Sequence, residues 1–319
     1  MRTLITGGAG FIGSHLADLL VARGEQVILL DDLSTGSYDN LTHLLGRPDV
    51  EFVLGSILNA DLLDGLVARA DRVFHLAAAV GVQLIVEKPL ESLQTNIRGS
   101  ELVLEKAHKY TTPILVTSTS EIYGKNTSDL LHEEDDRILG SPLKSRWSYS
   151  EAKAIEEILA YTYWREKGLP TVIVRLFNTV GPRQTGRYGM VIPRFVTQAI
   201  RGEPITVYGD GTQSRCFCHV TDVVDTLTRL LEEPEARGRV FNLGGTEEVT
   251  MLELAERIVA RTGSESSVRL VPYDQAYEEG FEDMQRRVPD IARVRKLVGF
   301  DPTHDLDAII DDVVAEQRG

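Results

Sequence analysis

A glycine-rich turn, Thr6-Gly7-Gly8-Ala9-Gly10-Phe11-Ile12-Gly13, joins a short β-branched run at residues 3–6 to a helical pattern at residues 11–22, where Ile12, Leu16, Leu19 and Leu20 share one face. Few folds place glycines at such a junction. Gly7, Gly10 and Gly13 recur every three residues, and Gly8, Gly10 and Gly13 satisfy G-x-G-x-x-G. A tight turn with positive φ, a backbone close enough to touch a pyrophosphate and a helix N-terminus with unpaired N–H groups all call for residues without side chains. A second run, residues 26–32, ends in acids, and Asp31 lies 24 residues after Gly7. A carboxylate there can accept from both hydroxyls of a ribose. Asp31 and Asp32 would repel a 2′-phosphate, so the pattern predicts NAD rather than NADP. The alternative, a glycine bend with no ligand, leaves the strand, the helix and the acid unexplained together.

The rest of the first half repeats this alternation. Residues 51–54, 72–76 and 113–117 read as strands; residues 61–70, 92–110 and 150–167 read as helices. Continuous apolar strands alternating with helices predict a parallel sheet buried on both faces, with right-handed crossovers. The expected fold is therefore α/β: a Rossmann doubly wound parallel sheet, closed by a strand at residues 171–175. Beyond it the texture changes. Residues 181–189 are rich in Gly, Arg and Pro; a helix near 193–201, a strand at 205–208 and helices near 251–262 and 305–317 follow. This predicts a domain at 1–175 and a smaller mixed α/β domain at 176–319, with some chain returning to the first.

Composition narrows the function. The 34 Lys and Arg against 48 Asp and Glu leave a net charge of −14, with 42% hydrophobic and 26% charged residues. That balance fits a globular protein and argues against nucleic acid or anionic membranes as partners. Any anionic ligand must be held by a local cluster of donors. Cys216 and Cys218 are the two cysteines; with His219 they offer three possible metal ligands, but free Cys is among the most buried residue types and two core thiols are expected, with no metal. The apolar stretch around residues 73–86 is broken by His75 and Gln83, and falls short of the ~20 residues of a membrane span. One Arg followed by a strand and glycines is not a signal peptide, so a cytoplasmic enzyme is expected.

Two further patterns carry chemistry. Tyr149 and Lys153 are spaced i, i+4 near the start of a helix, on one face. An ammonium near a phenol favours phenolate, and an oxidised nicotinamide adds positive charge; both would depress the tyrosine pKa towards working pH, as removal of a hydroxyl proton during hydride transfer requires. Alone, this spacing is also that of a solvated helix pair. Upstream, Thr117-Ser118-Thr119-Ser120-Glu121-Ile122-Tyr123-Gly124 places hydroxyls and a carboxylate at a strand's C-terminal end, where a parallel sheet opens its ligand crevice. A hydroxyl-rich capping turn is the plainer reading.

Gly-Gly-Ala-Gly-Phe-Ile-Gly, Asp31, His75-Leu76-Ala77-Ala78, Tyr149 with Lys153, and Arg175-Leu-Phe-Asn178-Thr-Val-Gly-Pro182 together resemble the extended short-chain dehydrogenase/reductase family across essentially the whole chain. The resemblance implies tightly bound NAD and a homodimer through a four-helix bundle built from the helices at 92–110 and 150–167. It implies a catalytic Thr119, Tyr149 and Lys153. Phe11, Ile12, Asp32, Ser56, Ile57, Leu76, Ala77, Ala78 and Asn96 would join the glycines and Asp31 in contacting the cofactor. The second half resembles the nucleotide-sugar branch. There Ser120 and Asn178 would contact the sugar diphosphate, Val191, Thr206 and Tyr208 the base, and Arg215 and Arg287 would clamp phosphate, for which the guanidinium fork is suited.

All such enzymes begin by removing the C4 hydroxyl proton as hydride leaves C4. A 4,6-dehydratase would carry Thr-Asp-Glu, with the Asp protonating the departing hydroxyl; here Ser120 stands in that place, a poor acid. Thr119-Ser120-Glu121 with Ile-Tyr-Gly is similar to UDP-glucuronate decarboxylases. In these the 4-ketone makes a β-keto acid and CO₂ leaves, with Glu121 orienting the substrate carboxylate. A UDP-glucuronate or UDP-glucose 4-epimerase remains an alternative, as does the dehydratase. A protein that binds the dinucleotide without chemistry would be expected to lack Tyr149 or Lys153.

Overall fold

The computed structural model describes residues 1–79, 89–144, 147–186, 190–276 and 284–319. Its strands are β1 (Arg2–Thr6), β2 (Gln26–Asp31), β3 (Val50–Leu54), β4 (Arg72–His75), β5 (Ile114–Thr119), β6 (Thr171–Leu176), β7 (Thr179–Val180), β8 (Ile205–Tyr208), β9 (Ser214–Cys216), β10 (Cys218–His219), β11 (Arg239–Leu243), β12 (Glu248–Thr250), β13 (Val268–Val271) and β14 (Arg286–Arg287). The helices used below are α1 (Phe11–Ala22), α2 (Ala60–Val67), α3 (Pro89–Tyr110), α4 (Ser148–Lys167), α5 (Val191–Ile200), α6 (Val220–Glu232), α7 (Met251–Thr262), α8 (Ala292–Val298) and α9 (Leu306–Arg318).

The apolar strand residues alternate between two cores, which is why the sheet forms where it does. Ile5, Leu29, Phe74, Leu115 and Val174 face α1 and α6. Leu4, Ile28, Val73, Ile114 and Ile173 face the opposite layer, which includes residues of α2, α3 and α4. With both faces covered, the strands can be apolar throughout and parallel. The sheet runs β3-β2-β1-β4-β5-β6-β11, every neighbouring pair parallel. The order reverses direction at β1, opening a crevice at the strands' C-terminal ends. A third core joins α5, α7 and α9 around β8.

The expected elements of the first half form, with boundary shifts. The helix at 150–167 starts at Ser148, which brings Tyr149 into its first turn; that at 92–110 starts at Pro89. The main correction concerns the sheet's edge. Residues 171–175 do not close it: β11 adds outside β6, in register from Arg239 opposite Val172 to Leu243 opposite Leu176. A five-residue run carries no mark of which edge it will join. The α6 helix also returns to the first layer, packing Val223, Val224 and Leu227 against Leu16 and Leu20; its i, i+3, i+4, i+7 apolar pattern is present in the sequence but sits in loop-rich surroundings. Residues 80–86 of the apolar stretch and 187–189 of the Gly-rich stretch lie outside the described residues.

One buried network ties the late elements to the early ones. Arg175 on β6 donates to both Glu157 oxygens at 2.9 and 2.8 Å, and to the Tyr123 hydroxyl and the Glu133 carbonyl, each at 2.9 Å. Tyr123 in turn donates to Asn242 of β11 at 2.6 Å. Removing one partner of such a pair leaves a buried charge unanswered, at a cost of about 3–5 kcal/mol. Arg175→Met is therefore expected to lower unfolding stability by about that amount in denaturant titration; a loss under ~1 kcal/mol would show the network to be dispensable.

Candidate active site

The crevice holds a cavity of about 370 Å³ that begins at the glycine turn. Gly7 has φ +74, and a Cβ there would lie 2.8 Å from the Ala77 backbone nitrogen. A Cβ on Gly13 would overlap the Gly7 carbonyl oxygen. Gly10 precedes α1 in extended conformation, and α1 has neither a side-chain cap nor an acid in its first turn. Its first N–H groups therefore present positive potential to the cavity. Gly7, Gly10, Phe11, Ile12 and Gly13 all line it.

Asp31, at the end of β2, is buried at the cavity edge. It accepts from the Ala9 N–H at 2.9 Å and the Leu33 N–H at 2.8 Å, so it also holds the glycine turn in place. Burial raises its pKa, and those backbone donors work against the rise. Asp32 lines the cavity beside it and accepts from the Ser34 N–H at 3.0 Å. Ile57, Leu76, Ala77 and Ala78 also line the cavity.

At the far end stand the groups on β5 and α4. Thr119 ends β5 and caps a single 3-10 turn, Ser120–Tyr123, accepting from the Glu121 N–H at 3.2 Å. Ser150 donates to the Glu121 carbonyl at 3.0 Å, fixing that turn against α4. Thr119, Ser120, Glu121, Tyr149 and Lys153 all line the cavity. Lys153 is 2% exposed; its Nζ donates to the Thr117 carbonyl at 2.7 Å and to Glu156 at 2.8 Å. The expected depression of the tyrosine pKa is not what this structure shows. Burial holds the Tyr149 phenol above the usual range, and the Glu121 and Glu156 carboxylates push the same way. The ammonium is largely occupied by its own buried counter-ion.

Asn178 and Arg287 close the cavity on the side of the second half. Arg287 donates to Asn178 Oδ1 at 2.6 Å and lies 3.7 Å from Glu121 Oε1, so the guanidinium and the carboxylate face one space. Other sequence-selected residues lie beyond the lining. Asn96 clamps the chain after β4, its amide accepting from the Ala79 N–H at 2.7 Å and donating to the Ala79 carbonyl at 3.0 Å. Ser56 accepts from the Leu58 N–H at 3.3 Å in the turn after β3. Val191 begins α5, beside the lining residue Met190. Thr206 accepts from Arg194 at 2.6 Å, and Tyr208 lies 4.4 Å under the same guanidinium. Arg215 is the register partner of Arg287 across β9 and β14. Thr179, inside the Asn178-Thr-Val-Gly-Pro182 run, also lines the cavity, as does Gln184, which no motif announces.

Several lining groups await a polar partner: the side-chain oxygens of Ser118, Thr179 and Gln184 are buried without a hydrogen bond. Together with an uncapped helix N-terminus and a turn that a single methyl group would fill, they fit a phosphate-bearing dinucleotide. Cys216 and Cys218 are fully buried, and burial pushes the Cys216 thiol up to about 12. His219, His304 and Asp312 cluster elsewhere, their ligand atoms within 4.8 Å of one another. The two rings stack at 4.2 Å with 26° between their planes. No point about 2 Å from both nitrogens then lies in both ring planes, as shared metal binding requires.

Residues 3–244 match the NAD dependent epimerase/dehydratase family. The chain is 41% identical over 302 residues to UDP-N-acetyl-alpha-D-glucosaminuronate decarboxylase of Bacillus cytotoxicus, covering 94% of this chain and 92% of that protein. It is 37% identical over 305 residues to UDP-glucuronic acid decarboxylase 5 of Arabidopsis thaliana, covering 95% and 85%. The crystal structure of UDP-glucuronic acid 4-epimerase from Bacillus cereus in complex with UDP-glucuronic acid and NAD superposes with a TM-score of 0.89 at 27% identity, covering 100% and 99% of the two chains. No helix among the described residues is long and apolar enough to cross a membrane.

Replacing Asp31 by Ala removes the acceptor that faces the cavity and loosens the turn. NAD affinity measured by calorimetry is expected to fall at least ~10-fold, equivalent to ~1.4 kcal/mol, and the preference over NADP to shrink. Unchanged NAD affinity would take Asp31 out of the binding site.

Proposed function

Because this chain belongs to the NAD dependent epimerase/dehydratase family, we propose that it oxidises UDP-glucuronate at C4 and then decarboxylates it, yielding UDP-4-keto-pentose or, after reduction, UDP-xylose. The observation that carries this reading is the convergence of Tyr149, Lys153, Thr119, Glu121 and Arg287 on the cavity that starts at the glycine turn. Its second support is the run of decarboxylases among the relatives.

Bound NAD supplies the hydride acceptor, held by the Gly7–Gly13 turn, the α1 N-terminus and Asp31. The chain's own groups manage protons and charge. Tyr149 takes the C4 hydroxyl proton; its buried, raised pKa means that it parts with its own proton only when positive charge is added beside it, which ties its activity to a filled site. Lys153, paired with Glu156, stands one helical turn from the phenol, and Thr119 donates to the C4 oxygen. Oxidation at C4 turns the C5 carboxylate into that of a β-keto acid. Carbon dioxide then leaves because the ketone accepts the electron pair as an enolate; a proton managed by Glu121 returns to C5 to give the 4-keto pentose, and no metal is required. Glu121 and Arg287 face the carboxylate from either side: the guanidinium holds it in the bound substrate, and the Glu121 charge disfavours keeping it. Asn178 contacts the diphosphate end, where Arg287 is the alternative holder to its carboxylate role, with Arg215 beside them, and Val191, Thr206 and Tyr208 are assigned to the base. In this reading residues 1–175 serve the dinucleotide and 176–319 the sugar nucleotide, apart from β11 and α6.

The 4-epimerase reading is favoured by one observation, the close superposition on a UDP-glucuronic acid 4-epimerase. Incubation of the protein with NAD and UDP-glucuronate separates the outcomes. Carbon dioxide with a UDP-pentose supports decarboxylation, a C4-inverted uronate of unchanged mass supports epimerisation, and no product refutes both. Tyr149→Phe is expected to lower turnover at least ~100-fold while NAD still binds; near-normal turnover would remove it as the base. In Glu121→Gln, carbon dioxide release should fall more than C4 oxidation, and equal losses would sink its assigned role.

A cytoplasmic homodimer completes the proposal. Ile155, Ile158 and Tyr161 expose 39, 61 and 42% of their surface on α4 at spacings of three. This apolar stripe beside α3 suits a four-helix contact with a second copy. Sedimentation should give twice the chain mass for the wild type and a single chain for Ile158→Arg; a monomeric wild type would refute it, as would recovery outside the soluble cell fraction for the location.

A further inference from the structure

Two successive carboxylates on α4 have different fates. Glu157 is answered by Arg175. Glu156 turns to the back of the active-site lysine and is 0% exposed. Its Oε2 accepts from Lys153 Nζ at 2.8 Å, while Oε1 is buried without a hydrogen bond, 3.7 Å from His75 Nε2. His75, on β4, does not answer it with charge: the ring lies between Thr6 Oγ1 at 2.7 Å and Ser100 Oγ at 2.9 Å, and burial holds its pKa down at about 3. Among the described residues, the groups facing Glu156 are thus Lys153, Glu157 and Tyr149 on its own helix, neutral His75 on β4, the Ser100 hydroxyl from α3, and beyond Lys153 the Thr117 carbonyl of β5. Lys153 is the one cation among them.

A buried carboxylate this close does two things. It pins the ammonium against the Thr117 carbonyl, and it cancels much of the field that the ammonium sends to the phenol. We propose that Glu156 is a positioning residue for the reaction proposed above: through Lys153 it keeps the Tyr149 phenol protonated until the site is filled. The inference rests on that reading for its purpose, but its physical content is a coupling between two side chains that can be measured without any sugar.

The test is an ultraviolet titration of tyrosinate in the NAD-bound protein, with the Tyr149 contribution isolated by subtracting the same titration of Tyr149→Phe. Glu156→Gln keeps the size and a carbonyl acceptor for Lys153 but removes the charge. It should move the Tyr149 midpoint down by about one pH unit or more, and Glu156→Asp, which keeps the charge, should restore it towards the wild-type value. Glu156→Ala, which also removes the charge, must move it in the same direction as Gln. A midpoint unmoved in both neutral variants would overturn the proposal. So would failure of both to fold while Asp folds, since the carboxylate would then be structural. Because no substrate is present, a failed coupling is distinguishable from a wrong choice of sugar.

Discussion

The α1 helix comes so close to the end of β1 that the Gly7 carbonyl occupies the space a Cβ on Gly13 would need. Much else depends on this contact. It sets the angle at which the first helix leaves the sheet, and with it the direction in which uncapped N–H groups point. Asp31 reinforces it from β2 by accepting from Ala9, and Ala77 from β4 presses on Gly7 from the other side. Three adjacent strands thus meet at one turn, at the place where the sheet's order reverses and a parallel sheet has room for a ligand.

Electrostatically the molecule is arranged against its own composition. A chain of net charge −14 would repel the phosphates and carboxylate of a nucleotide sugar over most of its surface. Lys153, Arg287 and the α1 N-terminus bring positive potential into the cavity, and Arg215 stands just behind it. Two buried cations are held by buried carboxylates, Lys153 by Glu156 and Arg175 by Glu157. These partners keep the cations in place at the cost of muting their fields. Burial keeps the phenol of Tyr149 in its protonated state.

Much of the first half was legible because its elements are local. The boundaries of α1 and β8 follow from apolar periodicity and flanking glycines, and Tyr149 and Lys153 share a helix face by spacing alone. Other features depend on distant chain. Nothing in Arg239–Leu243 says that it will join the sheet beyond β6, and no spacing in the sequence announces that Gln184 lines the cavity. Thr206, Tyr208 and Arg215 show the opposite case: selected by resemblance, they are taken up by neighbours such as Arg194 and lie outside the cavity wall.

The amino-acid sequence by itself determined the parallel α/β sheet, the glycine turn with its acid and the placing of a phenol one helical turn from an ammonium, since these are matters of short-range sterics and spacing. Only the tertiary structure decided what charge that ammonium delivers. Glu156, His75 and the Thr117 carbonyl come from separate elements, and the field at a buried proton is a sum over everything packed around it.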